Sequence, residues 1–245
     1  MKRSDGRADE QLREVQFDVG FAPNAEGSVL ISMGNTRVLC TASVEEGTPR
    51  WMQSEEKDGG WITAEYAMLP RSTGSRVRRE RNGISGRSQE IQRLIGRSLR
   101  AAVNLELIGP RTITIDCDVI QADGGTRTAS ITGGYIALML ALGPELKSAA
   151  IPRSAIRQPV AAISAGVVQG RPVLDLCYEE DVAAEVDANF VCNGAGEIVE
   201  VQGTAEGETM TKADFDKLFA YAATGIEQLI EMQHSVLKRE GISLS

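Results

Sequence analysis

One histidine in 245 residues, His234, leaves little material for histidine triads, histidine-ligated metal centres or histidine general-base schemes. Its place late in a helical pattern reads as a C-terminal cation set against the macrodipole. No G-x-x-x-x-G-K-[ST] occurs and no G-x-G-x-x-G follows a strand, which removes Walker-type NTPases and Rossmann dehydrogenases. The four cysteines, Cys40, Cys117, Cys177 and Cys192, lie singly in strand-like runs without a C-x-x-C pair, so neither a disulfide nor a zinc site is expected. Aromatic residues make up only 4% of the chain, too few for extensive base stacking. The longest apolar run, YIALMLAL at 135–142, is too short to cross a bilayer, and MKRSDGRADEQLREV has no apolar h-region. These absences predict a soluble, cytoplasmic protein with no membrane contact.

What is present is ordinary in amount and uneven in place. With 42% hydrophobic and 24% charged residues, the chain can bury a sizeable core. The formal charge of −8 argues at first against a polyanionic partner. Residues 71–100, however, hold nine arginines against Glu80 and Glu90, a local balance of +7 that leaves the rest of the chain at −15. A charge run is usually a solvated face. Here every cation is the fork-shaped arginine suited to phosphate, and RSTGSRVRRERNGISGR has the Gly/Ser content of a loop, so a salt-sensitive funnel for a polyanion is the alternative.

Alternation predicts strands at 13–20, 28–34, 37–44, 61–68 and 111–119, then at 160–169, 172–178, 185–192 and 197–202. Gly34-Asn35, Gln169-Gly170 and NGAGE at 193–197 supply hairpin turns, so most pairing should be antiparallel. Three helices are predicted. In SQEIQRLIGRSLRAAVNLE the residues Ile91, Leu94, Ile95, Leu99, Ala102 and Val103 recur at helical spacing behind Ser88 as N-cap. The second, near 128–142, is apolar nearly all round and should be buried. The third runs through 211–240, with Thr211 and Asp214 at capping-box distance. Together they predict an α+β fold of two strand-rich halves meeting near residues 110–150, one domain over 1–245, and a frayed polar tail from about 236.

Three constellations carry chemistry. Gly86-Arg87-Ser88 opens the first helix, and Gly124-Gly125-Thr126-Arg127 opens the second. Free backbone N–H groups at a helix start, the positive dipole end and a guanidinium favour phosphate. Either motif alone is weak; if the two starts converge they make one anion pocket. The third is acidic: VLDLCYEEDVAAEVDANF at 173–190 places Asp175 in a strand, Glu179, Glu180 and Asp181 in a turn, and Asp187 in the next strand. Such carboxylates suit magnesium, although acids in a turn are equally explained as solvated. Asp187, flanked by apolar residues in a strand, is the harder one to explain that way. A phosphate pocket, a divalent-metal site, an arginine loop and no side-chain nucleophile fit a reaction in which phosphate itself attacks, such as phosphorolysis of a nucleic-acid backbone.

DGGTRTASITGG at 123–134, GRSQEIQRLIGRSLRAAV at 86–103, LDLCYEED at 174–181 and EVQGTAEGE at 200–208 resemble the ribonuclease PH family, from SDGR at 4–7 to about residue 235. The resemblance implies the ribosomal protein S5 domain 2-like fold, duplicated, and a phosphate-dependent 3′-to-5′ exoribonuclease that trims transfer RNA precursors and releases nucleoside diphosphates. It further implies magnesium and a homohexamer built as a trimer of dimers. Carried over by residue, phosphate contacts fall on Arg87, Gly125, Thr126 and Arg127, the catalytic and metal-linked aspartates on Asp181 and Asp187, and RNA contacts on Arg71, Arg76, Arg78 and Arg79. Ala188 stands where the family often has methionine, and Phe190 and Cys192 are further departures in that strand. Three other readings compete: a hydrolytic metal-dependent nuclease; a non-catalytic RNA-binding ring subunit, which the intact set Arg87, Thr126, Arg127, Asp181 and Asp187 opposes; and a purely structural acidic protein with a solvated arginine loop, which predicts no salt-sensitive RNA binding.

Overall fold

The computed structural model describes residues 3–205 and 209–243; the last three residues of EVQGTAEGE and the last two of the tail lie outside them. The first half contains β1 (Val15–Val19), β2 (Gly27–Met33), β3 (Thr36–Glu46), the short α1 (Arg50–Ser54), β4 (Trp61–Met68), α2 (Gly86–Ala101) and β5 (Arg111–Gln121). Helix α3 (Thr126–Lys147) follows, then β6 (Val160–Val168), β7 (Arg171–Leu174), α4 (Tyr178–Ala183), β8 (Val186–Asn193), β9 (Ile198–Ala205) and α5 (Lys212–Arg239). All nine predicted strands are present. One sheet has the order β1-β2-β3-β5-β4 and the other β7-β6-β8-β9. Every strand pair is antiparallel except β4 with β5. The Gln169-Gly170 turn has φ of 53° and 71°, the left-handed pair that a two-residue hairpin needs.

Helix α3 lies between the sheets, packed on β2 and β3 on one side and on β6 on the other. That position explains its all-round apolar sequence. By length and composition it could cross a membrane, yet it is mostly buried inside the protein. It is anchored to the second sheet by a polar pair: the Thr132 hydroxyl donates to the Ala162 carbonyl at 3.2 Å and accepts from the Ala162 N–H at 3.1 Å. Gln233 of α5 then donates to the carbonyls of Thr132 and Val160, at 3.0 and 3.1 Å. One continuous buried cluster runs from Val29 and Ile31 through Tyr135 and Leu138 to Ile163 and Phe190. Phe190 sits 5.9 Å, ring centre to ring centre, from both Phe215 and Phe219, so the unusual aromatic in β8 is absorbed by α5. All four cysteines are buried and free.

Local differences from expectation have local causes. Ser85, not Ser88, caps α2: its Oγ accepts from the Ser88 N–H at 3.2 Å. The strand expected over 172–178 stops at Leu174, because Asp175 takes the left-handed conformation (φ 55°) and the chain then coils into α4. In the tail expected to fray from about 236, the described residues are partly built into the fold. Helix α5 continues to Arg239, and Leu237 and Ile242 are buried, Ile242 against α3 near Gly143. The capping box of Thr211 and Asp214 is present as expected.

Candidate active site

The site lies where the two sheets meet the N-terminus of α3. Gly124 and Gly125 both have left-handed φ, 76° and 65°. A Cβ on Gly124 would stand 2.4 Å from the Leu176 carbonyl, so backbone passes against backbone here and only glycine fits. The N-cap of α3 is Gly125, with no side-chain cap, which leaves the amides of the first turn open to an anion. Thr126 does not cap; its Oγ1 shares a hydrogen bond of 2.8 Å with the buried Tyr66 hydroxyl. The α2 start is different. Ser85 occupies the Ser88 amide and the Ser88 hydroxyl donates to Glu80 at 2.9 Å, so α2 contributes the Arg87 guanidinium rather than an open helix end.

One cavity of about 480 Å³ is lined by Arg87, Gly124, Gly125, Thr126, Arg127, Asp181 and Asp187, with Ser164, Tyr178 and Asn189 beside them. The six residues expected to act on phosphate and metal therefore face a common space. Burial pushes the Asp181 carboxyl above its usual range, and the nearby positive charges of Arg87 and Arg127 oppose the shift. The expected RNA-contacting arginines do not line it. Arg71, Arg76, Arg78 and Arg79 are exposed on the connection from β4 to α2, whose Thr73, Gly74, Ser75 and Val77 form part of the cavity wall. They stand at its rim.

Asp175, Glu179 and Glu180 of the acidic stretch do not face this cavity. Asp175 is fully buried and paired with Arg13, Nη2 to Oδ1 at 2.7 Å and Nε to Oδ2 at 3.0 Å. Glu180 accepts from Arg3 Nε and Nη2, both at 2.7 Å, and from the Cys177 N–H at 3.1 Å. Glu179 lines a separate depression with Arg7 and Asp123. The N-terminal arginines thus act as a latch: Arg3, Arg7 and Arg13 all bond Asp175, and Arg13 also donates to the Asp123 carbonyl at 2.6 Å, directly before the glycine pair. Asp123 completes it by accepting from the Tyr178 N–H and from Asn35, each at 3.1 Å. This latch fixes α4, and with it Asp181, against the loop that starts α3.

Burial alone would push the Glu180 carboxyl up, but the bonds from Arg3 and Cys177 and the charges of Arg3 and Arg7 outweigh it and hold it below the usual range. A depressed carboxylate stabilises the fold above its unfolded-state pKa, about 4.3 for glutamate, and that contribution fades as pH falls through the folded value. Glu180→Gln is accordingly expected to lower the denaturation midpoint at pH 7, with the gap to the parent narrowing below about pH 4. A gap that widens on acidification contradicts this.

Sequence reasoning overlooked Tyr66, Glu90, Arg13 and Gln202. Asn189 was accessible to it: alternation along β8 puts residues 187 and 189 on the same face. Tyr66, Arg13 and Gln202 come from strands or loops far away in the chain, and no spacing rule joins them to residues 123–127.

Two family models match, described as the 3′ exoribonuclease family, domain 1 over residues 11–144 and domain 2 over residues 158–225. The chain is 55% identical over 237 residues to Ribonuclease PH of Methylorubrum populi, covering 96% of this chain and 99% of that protein. It is 52% identical to Ribonuclease PH of Corynebacterium efficiens, covering 96% of each. Among solved structures, rice (Oryza sativa) Rrp46 superposes with a TM-score of 0.77 at 20% identity, over 96% of this chain and all of that one. A chain of the Archaeoglobus fulgidus exosome with RNA bound to the active site also gives 0.77, at 21% identity, over 94% of this chain and 92% of its own. The architecture, two sheets with packed helices, is the ribosomal protein S5 domain 2-like fold.

Proposed function

The chain belongs to the 3′ exoribonuclease family, and from that premise we infer how its own residues perform the work. It is a phosphorolytic 3′-to-5′ exoribonuclease that acts in transfer RNA processing, with inorganic phosphate as co-substrate and nucleoside diphosphates as products. The observation that carries the reading at residue level is the shared cavity, in which Arg87 and Arg127 from two separate helix starts stand with Asp181 and Asp187.

Arg87, Arg127, the Thr126 hydroxyl and the Gly125 amide hold hydrogen phosphate in line with the last phosphodiester of the RNA. Hydrogen phosphate, a dianion, and the phosphodiester monoanion repel each other in water; fixed guanidinium donors and the open α3 terminus remove much of that repulsion before the reaction starts. A phosphate oxygen attacks the terminal phosphorus and the bond to the 3′ oxygen of the preceding nucleotide breaks. The proton given up by the hydrogen phosphate ends on that 3′ oxygen, and Asp181 carries it. The products are a nucleoside diphosphate and an RNA one nucleotide shorter, with atoms and charge in balance.

Asp181 and Asp187 also suit a magnesium ion. Among the described residues no group of three or more His, Cys, Asp or Glu forms a metal cage, but magnesium characteristically takes one or two carboxylates and leaves its other positions to water and phosphate. Bound there, it would supply charge neutralisation between the phosphate groups. Arg71, Arg76, Arg78 and Arg79 at the rim bind the RNA body through its backbone. On the same reading the protein is a cytoplasmic homohexamer, a trimer of dimers; family membership supports this.

Omitting orthophosphate is the test of the activity: trimming is expected to stop. Nucleoside monophosphate accumulating without phosphate would instead establish the hydrolytic alternative. The rim is tested separately. Replacing Arg71, Arg76, Arg78 and Arg79 together by alanine is expected to weaken RNA binding and to reduce the slope of log affinity against log salt by about 0.7 per arginine lost. The KM for phosphate should stay as it was. An unchanged salt slope contradicts the assignment of these four residues.

A further inference from the structure

The EVQG portion of the 200–208 motif has no part in the cavity wall, yet it reaches the cavity through one side chain. Gln202 of β9 lies opposite Asn189 of β8. Its Oε1 accepts from Arg127 Nη1 at 2.8 Å. Its amide nitrogen donates to Glu90 at 2.8 Å and to Glu200 at 3.2 Å. Glu200 is held in turn by Arg97 Nη1 at 2.6 Å. Two carboxylates on the nitrogen side fix which way the amide faces, since a flipped group would set its oxygen against both of them and its N–H groups against a guanidinium. The oxygen must therefore face Arg127.

We propose that Gln202 is the positioning residue that aims Arg127 at phosphate. The proposal rests on the reading of Arg127 as a phosphate ligand. Among the described residues, all of Arg127's side-chain bonds, to Gln202 and the longer ones to Glu90 at 3.3 and 3.5 Å, use Nη1. That leaves Nη2 and Nε as the two-pronged edge offered to an oxyanion. Glu90 sits near the start of α2, three residues beyond Arg87, so the network also ties together the two helix starts that carry the cavity's arginines. Gln202 never touches phosphate in this arrangement; it sets the direction in which the guanidinium points and restricts its rotation.

The test is steady-state trimming of a short RNA with phosphate varied. Gln202→Ala is expected to raise the KM for phosphate about tenfold, in keeping with loss of one hydrogen bond to a charged group. At saturating phosphate kcat should change by less than about threefold, and RNA affinity measured in phosphate-free buffer should not change. Gln202→Met, which keeps the side-chain volume without the polar end, should behave the same way and separates a positioning effect from a packing defect. In an Arg127→Ala background, Gln202→Ala should add nothing. An unchanged phosphate KM in both Gln202 variants, or an RNA affinity that falls in step with it, overturns the proposal and leaves the reading of the cavity standing. If Arg127→Ala itself leaves the phosphate KM unchanged, that reading fails instead.

Discussion

Arg127→Ala is expected to reduce phosphorolysis by on the order of 10³-fold, about 4 kcal/mol of transition-state stabilisation, while RNA binding through the 71–81 loop stays largely intact. The size follows from position. Arg127 occupies the first turn of α3, whose Gly125 cap leaves the local amides open, so its charge adds to the dipole end on the same anion. Its removal also strands Glu90 and Gln202, which would then present a carboxylate and a carbonyl toward the phosphate position. Arg127→Lys, which keeps the charge and loses the fork, should fall between the parent and the alanine variant. Single-turnover rates at saturating phosphate, measured beside RNA affinity without phosphate, separate the two functions. Equal loss of both refutes the division of labour.

Arg13→Ala is expected to cost about 3–5 kcal/mol of stability, because it leaves the Asp175 carboxylate buried without its main partner. Asp175 has no solvent exposure, and Arg13 meets it with both a side-chain fork and its own backbone N–H, at 2.8 Å. Burial alone would lower the Arg13 guanidinium's affinity for its proton, but the Asp175 charge and hydrogen bond overcome this and raise it. Arg13 also grips the Asp123 carbonyl, so the loop that leads into α3 loses a support along with the ion pair. The double variant Arg13→Ala with Asp175→Ala should recover part of the loss, since it removes the stranded charge. Denaturant midpoints of the three variants decide it; a single-variant cost below about 1 kcal/mol shows that the latch is not structural.

How far the sequence carried this picture depends on the range over which each interaction acts. Periodicity is a local signal, and all nine strands, the buried α3 and the α5 capping box follow from it. The Gly124-Gly125 pair was legible for the same reason: two adjacent glycines before an apolar helix report a backbone demand within five residues. The Asp175 pair was not legible. An alternating pattern placed that aspartate on a strand among exposed acids, and nothing near it in the chain signals that Arg13, 162 positions away, neutralises it. The α2 cap was misplaced by three residues because Ser85 and Ser88 are equally good caps by type; the Glu80 carboxylate that bonds Ser88 decides between them. Gln202 is the clearest case of a role visible only in three dimensions, since its importance lies in which neighbours its amide faces.

On the proposed mechanism, phosphate held by Arg87 and Arg127 is the group that attacks. Trimming a transfer RNA precursor in the presence of ³²P-labelled orthophosphate tests that most directly. The label is expected in the β-phosphate of every released nucleoside diphosphate, one per nucleotide removed, and to be lost from the products when Arg127 is replaced by alanine. Label that stays in orthophosphate while nucleoside monophosphates accumulate would contradict it.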